Sequence, residues 1–353
     1  MAAADGSARG RLVARLASSS LDCTHLLKHG YQVFPSCLSA GQADEIRAAL
    51  DADVTLSGEH FPPDRVGRHG SGHWQSVWRA REATDALFWR LFGEQPLHAF
   101  DGFAHTVSGR QNNKLWLHVD QPASNANAFD SLQGLLALSD VPEDGYATAL
   151  CHSADVQALR DELHHAGLGR GNQHGPPPDT RVHFYTAQET EWLLARSALI
   201  RPRLRKGSLL VWCAGVPHCA YGHAWARRAV FVSAIPRSLC HDDDELEMRR
   251  DAARRGLTSN LDVVCRAAGG ANRLSLRGGD QSWPKRFAPM ESYDEPTSAR
   301  QQRRAGMIGF DHTEGGGVER ATGGAVVLLD ALIAHVSHAE VRIRYTGGLS
   351  VDY

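Results

Sequence analysis

Apolar and polar positions along residues 25–240 predict a few leading helices followed by short strands. Leu26-Leu27-Lys28-His29-Gly30-Tyr31-Gln32-Val33-Phe34 reads as a helix end, a glycine stop and a short strand. Ser39 is placed to cap a helix running to about Asp51, with Leu38, Ala43, Ile46 and Leu50 on one face. Residues 57–73, rich in Gly, Pro and His, predict loop, and 82–92 a helix with Leu87, Trp89 and Leu91 near the core. From residue 97 the period changes to two. Within 115–120, Trp116, His118 and Asp120 share one face and Leu115, Leu117 and Val119 the other. Residues 131–138 are apolar on both faces, as a buried strand is. Further strands are expected at 182–185, 208–212 and 229–235, with helices over 155–165 and 189–197. Short strands behind leading helices predict a mainly β fold with flanking helices, a sandwich or barrel rather than βαβ repeats.

Composition narrows the function classes. The chain has 353 residues, with 38 Lys and Arg against 40 Asp and Glu. That near-neutral balance argues against a nucleic-acid partner. No apolar run reaches the roughly 18 residues of a membrane span; the nearest, 325–336, is broken by Asp330. The seven cysteines (Cys23, Cys37, Cys151, Cys213, Cys219, Cys240 and Cys265) are odd in number and show no C-x-x-C spacing. They read as reduced thiols of an intracellular, cytoplasmic protein. Residues 1–24 are expected to be a flexible tail, whose Arg9, Arg11 and Arg15 leave organelle targeting open. Residues 25–240 form the expected domain, and 241–353 a charged, Gly-rich extension with a joint at Gly315-Gly316-Gly317.

The chemistry begins at His118-Val119-Asp120. On a strand, residues i and i+2 point the same way, so an imidazole and a carboxylate can share one metal. Alone the string is a weak signal. A third feature strengthens it: the buried strand opened by Lys206-Gly207-Ser208 runs through Trp212 and a short turn to His218. Two His and one carboxylate form the facial triad of non-haem Fe(II) oxygenases, which leaves positions for a bidentate acid and dioxygen. The next strand opens with Arg227-Arg228, and a guanidinium there can clamp the far end of a dicarboxylate through two parallel hydrogen bonds. Arg228 is preferred over Arg227 because it directly precedes the apolar run.

In combination these segments resemble the phytanoyl-CoA dioxygenase family of Fe(II)/2-oxoglutarate oxygenases. Gly30-Tyr31-Gln32-Val33-Phe34 is similar to the family's opening, Trp116-Leu117-His118-Val119-Asp120-Gln121 to its first ligand strand, and Lys206 to Trp212 with His218 to its second. Arg228-Ala229-Val230 is similar to its cosubstrate strand. The resemblance implies a double-stranded β-helix, a jelly roll related to the cupins. It implies Fe(II) held by His118, Asp120 and His218, and the C5 carboxylate of 2-oxoglutarate held by Arg228. It also implies use of O2 to hydroxylate a small molecule, with release of succinate and CO2. Gln133 and Lys114 are further candidates for binding the cosubstrate. The segment from Gly145 to Ser153 departs from the family's small-residue loop, with Tyr146 and Leu150 reshaping the substrate pocket. Trp116 is expected to pack inside the barrel, and His105, His152, His183 and Cys219 to be structural. The alternative is a non-catalytic jelly roll that binds a metal or a small molecule, as a sensor or scaffold.

Overall fold

The computed structural model describes residues 8–56, 71–106, 115–121, 128–129, 131–142, 145, 147–168, 183–222 and 226–239. The helices are α1 (Ala8–Ala17), α2 (Thr24–His29), α3 (Ala40–Leu56), α4 (Gln75–Phe92), α5 (Val156–His165) and α6 (Ala187–Arg196). The strands are β1 (Tyr31–Phe34), β2 (Pro96–His98), β3 (Phe103–Thr106), β4 (His118–Val119), β5 (Leu132–Ala137) and β6 (Ala147–His152). They continue with β7 (His183–Phe184), β8 (Ala198–Ile200), β9 (Leu209–Cys213), β10 (His218–Tyr221), β11 (Arg227–Phe231) and β12 (Ala234–Pro236).

Local chemistry accounts for many of the element ends. Gly30 stops α2 in the left-handed region at φ 79°, with its N–H donating to Leu26 O. The α3 start is a reciprocal cap: Gln42 N donates to Ser39 Oγ, and Ser39 N donates to Gln42 Oε1. Asp155 caps α5, and Thr186 with Glu189 forms a capping box on α6.

Among the described residues two antiparallel sheets form. The larger runs β1-β9-β5-β11-β3, with β12 joining β5 to β2; the smaller runs β7-β4-β10-β6-β8. Helices α1 to α4 supply Leu12, Leu26, Leu50 and Phe88 to the same core as the larger sheet's Leu135, Leu210 and Val230. Leu117, Val119, Ala149, Cys151 and Cys219, from the other face of the smaller sheet, pack with Leu159, Leu163 and Leu193 of α5 and α6. The two remaining faces look at each other. This is the expected mainly β jelly roll with flanking helices. No described helix is long and apolar enough to cross a membrane.

Several expectations change. Residues 8–24 are not loose tail: α1 forms there, and Leu12 and Leu16, one helical turn apart, are buried. Arg15 fastens α1 by donating to Phe92 O and pairing with Glu94 at 2.8 Å. Helix α4 starts at Gln75 rather than 82, and Trp89 is half exposed while Leu87 and Leu91 are buried. The alternating stretch 115–120 enters a ladder only at His118 and Val119. The 241–353 extension lies outside the described residues.

Candidate metal centre

Cross-strand register brings the predicted ligands together. His118 on β4 and His218 on β10 are direct antiparallel partners. Their rings lie 4.3 Å apart between centroids. Asp120, two residues after His118, keeps to the same face. Its Oδ2 is 3.0 Å from His218 Nε2 and 3.7 Å from His118 Nε2. One donor atom from each of the three lies within 4.8 Å of the others, and this is the metal-competent cluster among the described residues.

The tautomers are set by the backbone. His218 Nδ1 is 2.8 Å from Val216 O, and His118 Nδ1 is 3.3 Å from Trp116 O. A carbonyl only accepts, so in a neutral ring the proton sits on Nδ1 and Nε2 presents a lone pair. Burial and the neighbouring His218 push His118 down to about 4, so it is neutral at pH 7. Burial alone would raise Asp120, but His118, His218 and the Gln133 amide together hold it below the ordinary carboxylate value. When both rings are neutral, two imidazole lone pairs and a carboxylate converge with no hydrogen to share. A divalent cation is the group that relieves this arrangement, and the N,N,O donor set suits ferrous iron.

The larger sheet completes the cavity. Gln133 Nε2 donates to Asp120 Oδ2 at 2.6 Å, so this amide orients the carboxylate rather than standing ready for a cosubstrate. Trp212, the register partner of Gln133, packs edge-on to His218 at 5.5 Å. Gln133 Oε1 and Trp212 Nε1 are buried and find no hydrogen-bond partner among the described residues. An acceptor and a donor beside the three ligands thus fit a polar occupant. Leu150 is the other cross-strand partner of His218 and is fully buried, so it fills cavity space next to the ligand. Tyr146 and Lys114 lie outside the described residues.

The two arginines part company. In β11 alternate residues face opposite ways, and Arg227 shares the inner face with Ala229 and Phe231. Its side chain crosses to the smaller sheet, where Nη2 donates to Thr148 Oγ1 at 3.1 Å, and it is buried. Arg228, the preferred cosubstrate residue, points the other way. Its Nε donates to Asp51 Oδ1 of α3 at 2.6 Å and its Nη1 to Thr106 O at 2.7 Å. Adjacency to an apolar run does not select the inner face; strand parity does.

On that outer face Asp51 also meets His105 Nε2 at 2.9 Å. Burial and the Arg228 charge lower His105; burial would raise Asp51, yet Arg228 and His105 more than offset it. Both groups have depressed native pKa values, so their contribution is full above the unfolded values and lost as pH falls. Urea midpoints should therefore drop in two steps, one below 6.5 and one below 3.8. The variant His105→Gln, which cannot titrate, should lack the first step.

The other singled-out groups stay apart from the centre. His152 Nδ1 is 3.0 Å from the Tyr31 hydroxyl, and His183 lies 3.6 Å from Glu189. Burial pushes the Cys219 thiol up to about 12, which leaves it inert beside His218. Gly215 shapes the crossing from β9 to β10: a Cβ there would stand 2.5 Å from Ala128 Cα. Gly215→Ala should cost about 1–3 kcal/mol in denaturant titrations and weaken metal binding, because the turn aims His218.

Sequence reasoning had no signal for Thr148 and Phe184, which join the site through strand pairing, or for Asp51, which α3 brings against Arg228. No family model matches the chain, and no curated protein matches it. Solved structures do. A hypothetical protein, JW0805, from Escherichia coli is 15% identical with TM-score 0.53, covering 84% of each chain. The 2-oxoglutarate-bound EctD from S. alaskensis is 12% identical with TM-score 0.45, covering 76% of this chain and 83% of its own. The α-ketoglutarate-dependent carbocyclase SnoK of nogalamycin biosynthesis is 16% identical with TM-score 0.45, covering 62% and 84%. The first of these likenesses shows the fold alone.

Proposed function

We propose that this chain is an Fe(II)- and 2-oxoglutarate-dependent dioxygenase, of the phytanoyl-CoA dioxygenase kind, that hydroxylates a small molecule. The observation that carries the reading is the convergence of His118 Nε2, His218 Nε2 and an Asp120 oxygen on one point, with each imidazole Nδ1 turned to a backbone carbonyl. Bound ferrous iron supplies the activation of dioxygen against the keto acid, so that a substrate C–H becomes C–OH while 2-oxoglutarate becomes succinate and CO2.

The protein's own groups supply position and charge. Two backbone carbonyls hold the imidazoles in the ligating tautomer, and Gln133 holds Asp120. Arg227 is the residue we assign to the distal carboxylate of the keto acid. Thr148, which it touches, pairs with Ala220, two residues along β10 from the His218–Leu150 pair. At about 3.3 Å per residue that is roughly 7 Å up the strand, within reach of a five-carbon diacid bound at the ligands. The guanidinium can clamp a carboxylate through two charge-assisted bonds, with the Thr148 hydroxyl beside it. Lining the cavity with Leu150, Trp212 and Phe231 keeps water away from the reacting groups.

Anaerobic titration of the full chain with Fe(II) and then 2-oxoglutarate tests the reading. A visible charge-transfer absorption that needs both, followed by succinate on admitting oxygen, is the expected result. Metal uptake with no keto-acid binding by calorimetry would sink it in favour of a non-catalytic binding jelly roll.

A further inference from the structure

Among the described residues the large apolar side chains left exposed are Trp89, Trp116 and Phe184. Trp89 sits alone on α4, as scattered surface aromatics do. The other two crowd one metal ligand. Trp116, 38% exposed, stacks on His118 with centroids 4.6 Å apart and planes 4° from parallel. Phe184, 46% exposed, is the register partner of His118 on the edge strand β7. Its ring lies 5.5 Å from His118 and 6.2 Å from Trp116, tilted 32° and 31°. Trp116 is held in place by its indole N–H, which donates to Ala220 O at 3.1 Å. The expectation that Trp116 merely fills the barrel does not hold: it stands at the open edge of the inner face.

We propose that Trp116 and Phe184 form a stacking shelf that selects a flat, uncharged ring system as the substrate and lays it against the metal centre. The proposal rests on the oxygenase reading for the word substrate, but the shelf itself does not. The ring planes decide the ligand class. Recognition of a quaternary ammonium needs ring faces that wall in the cation. Here the three planes lie within 32° of one another and Trp116 lies face on face with His118, so the rings form a stack with an outer face to offer rather than a cage. A planar ring extends such a stack in offset geometry, whereas a puckered saturated ring touches it at few points. Charge points the same way. A divalent metal, Asp120, a doubly charged keto acid and Arg227 sum to zero, so the loaded centre exerts no net pull on an ionic substrate. The pinned indole also loses little freedom on binding, which favours affinity.

Isothermal titration of metal-free full-length protein compares three probes: 2-naphthol, its saturated counterpart trans-2-decalol, and tetramethylammonium. The expected order is 2-naphthol at least about tenfold tighter than trans-2-decalol, with no measurable tetramethylammonium binding. Phe184→Ala, a change on an exposed edge strand that leaves the core intact, should lose about tenfold in 2-naphthol affinity. Trp116→Ala should lose as much, and Trp116→Phe should recover most of it. With Mn(II) bound, the proton signals of 2-naphthol should broaden, placing the ring beside His118. Equal affinity for the flat and saturated rings, tighter binding of tetramethylammonium, or unchanged binding in both alanine variants would overturn the shelf. The arms separate from the oxygenase reading: 2-naphthol held by the shelf in a protein that binds no 2-oxoglutarate leaves the shelf standing and removes the enzyme. Keto-acid binding with no ring preference does the reverse.

Discussion

Asp120→Ala is expected to abolish tight divalent-metal binding and, with it, succinate formation. The carboxylate is the one anionic donor in the cluster, and it also balances the charge of the ion. Its side chain is 5% exposed and accepts from Gln133 at 2.6 Å, so removal strands a buried amide as well as the metal. Losing an outer partner of a metal ligand typically costs about 10–100-fold in affinity, and loss of the ligand itself should exceed that. Gln133→Leu then gives an internal calibration. It should fall in the 10–100-fold band, because it removes only the group that orients Asp120. Metal titration followed by calorimetry reads both variants, and thermal unfolding of the metal-free proteins checks that each still folds. If Asp120→Ala bound Fe(II) as tightly as the parent, the three-ligand centre would be wrong.

Arg227→Ala should weaken 2-oxoglutarate binding by roughly 10²-fold, the equivalent of about 3 kcal/mol for two charge-assisted hydrogen bonds. Metal affinity should be little changed, since Arg227 touches none of the ligands. Arg227→Lys keeps the charge and loses the fork, so it should recover only part of the loss. Arg228→Ala is the contrasting variant. Its guanidinium ties β11 to Asp51 of α3 and to Thr106 O, and its side chain is 19% exposed. It should lower the urea midpoint while 2-oxoglutarate affinity stays within a fewfold of the parent. The reverse outcome, with cosubstrate binding sensitive to Arg228 and indifferent to Arg227, would reassign the clamp.

Much of the architecture follows from short-range chemistry written in order along the chain. The glycine after His29, the serine before α3 and the Thr186–Glu189 pair place helix ends because each satisfies backbone groups only a few residues away. Period-two spacing likewise puts Trp116, His118 and Asp120 on one face whatever strand pairs beside them. Helix α1 was not read from the sequence, whose arginines and small residues there gave a tail; burial of Leu12 and Leu16 in the core shared with α4 is what makes the helix worth forming.

The side on which each strand face ends up is another matter. The local pattern around Arg227 and Arg228 is two basic residues before an apolar run, and both orders satisfy it. Only pairing of β11 with β5 and β3, and the presence of α3 outside that sheet, sends one guanidinium inward to Thr148 and the other outward to Asp51. The same holds for Phe184, which meets His118 through register with an edge strand far along the chain. Backbone propensity and i, i+2 spacing are properties of neighbours in sequence, so residue order suffices to read them. Facing, register and the meeting of Asp120, Gln133 and His218 depend on contacts between distant segments, whose energies exist only once the two sheets have closed on each other.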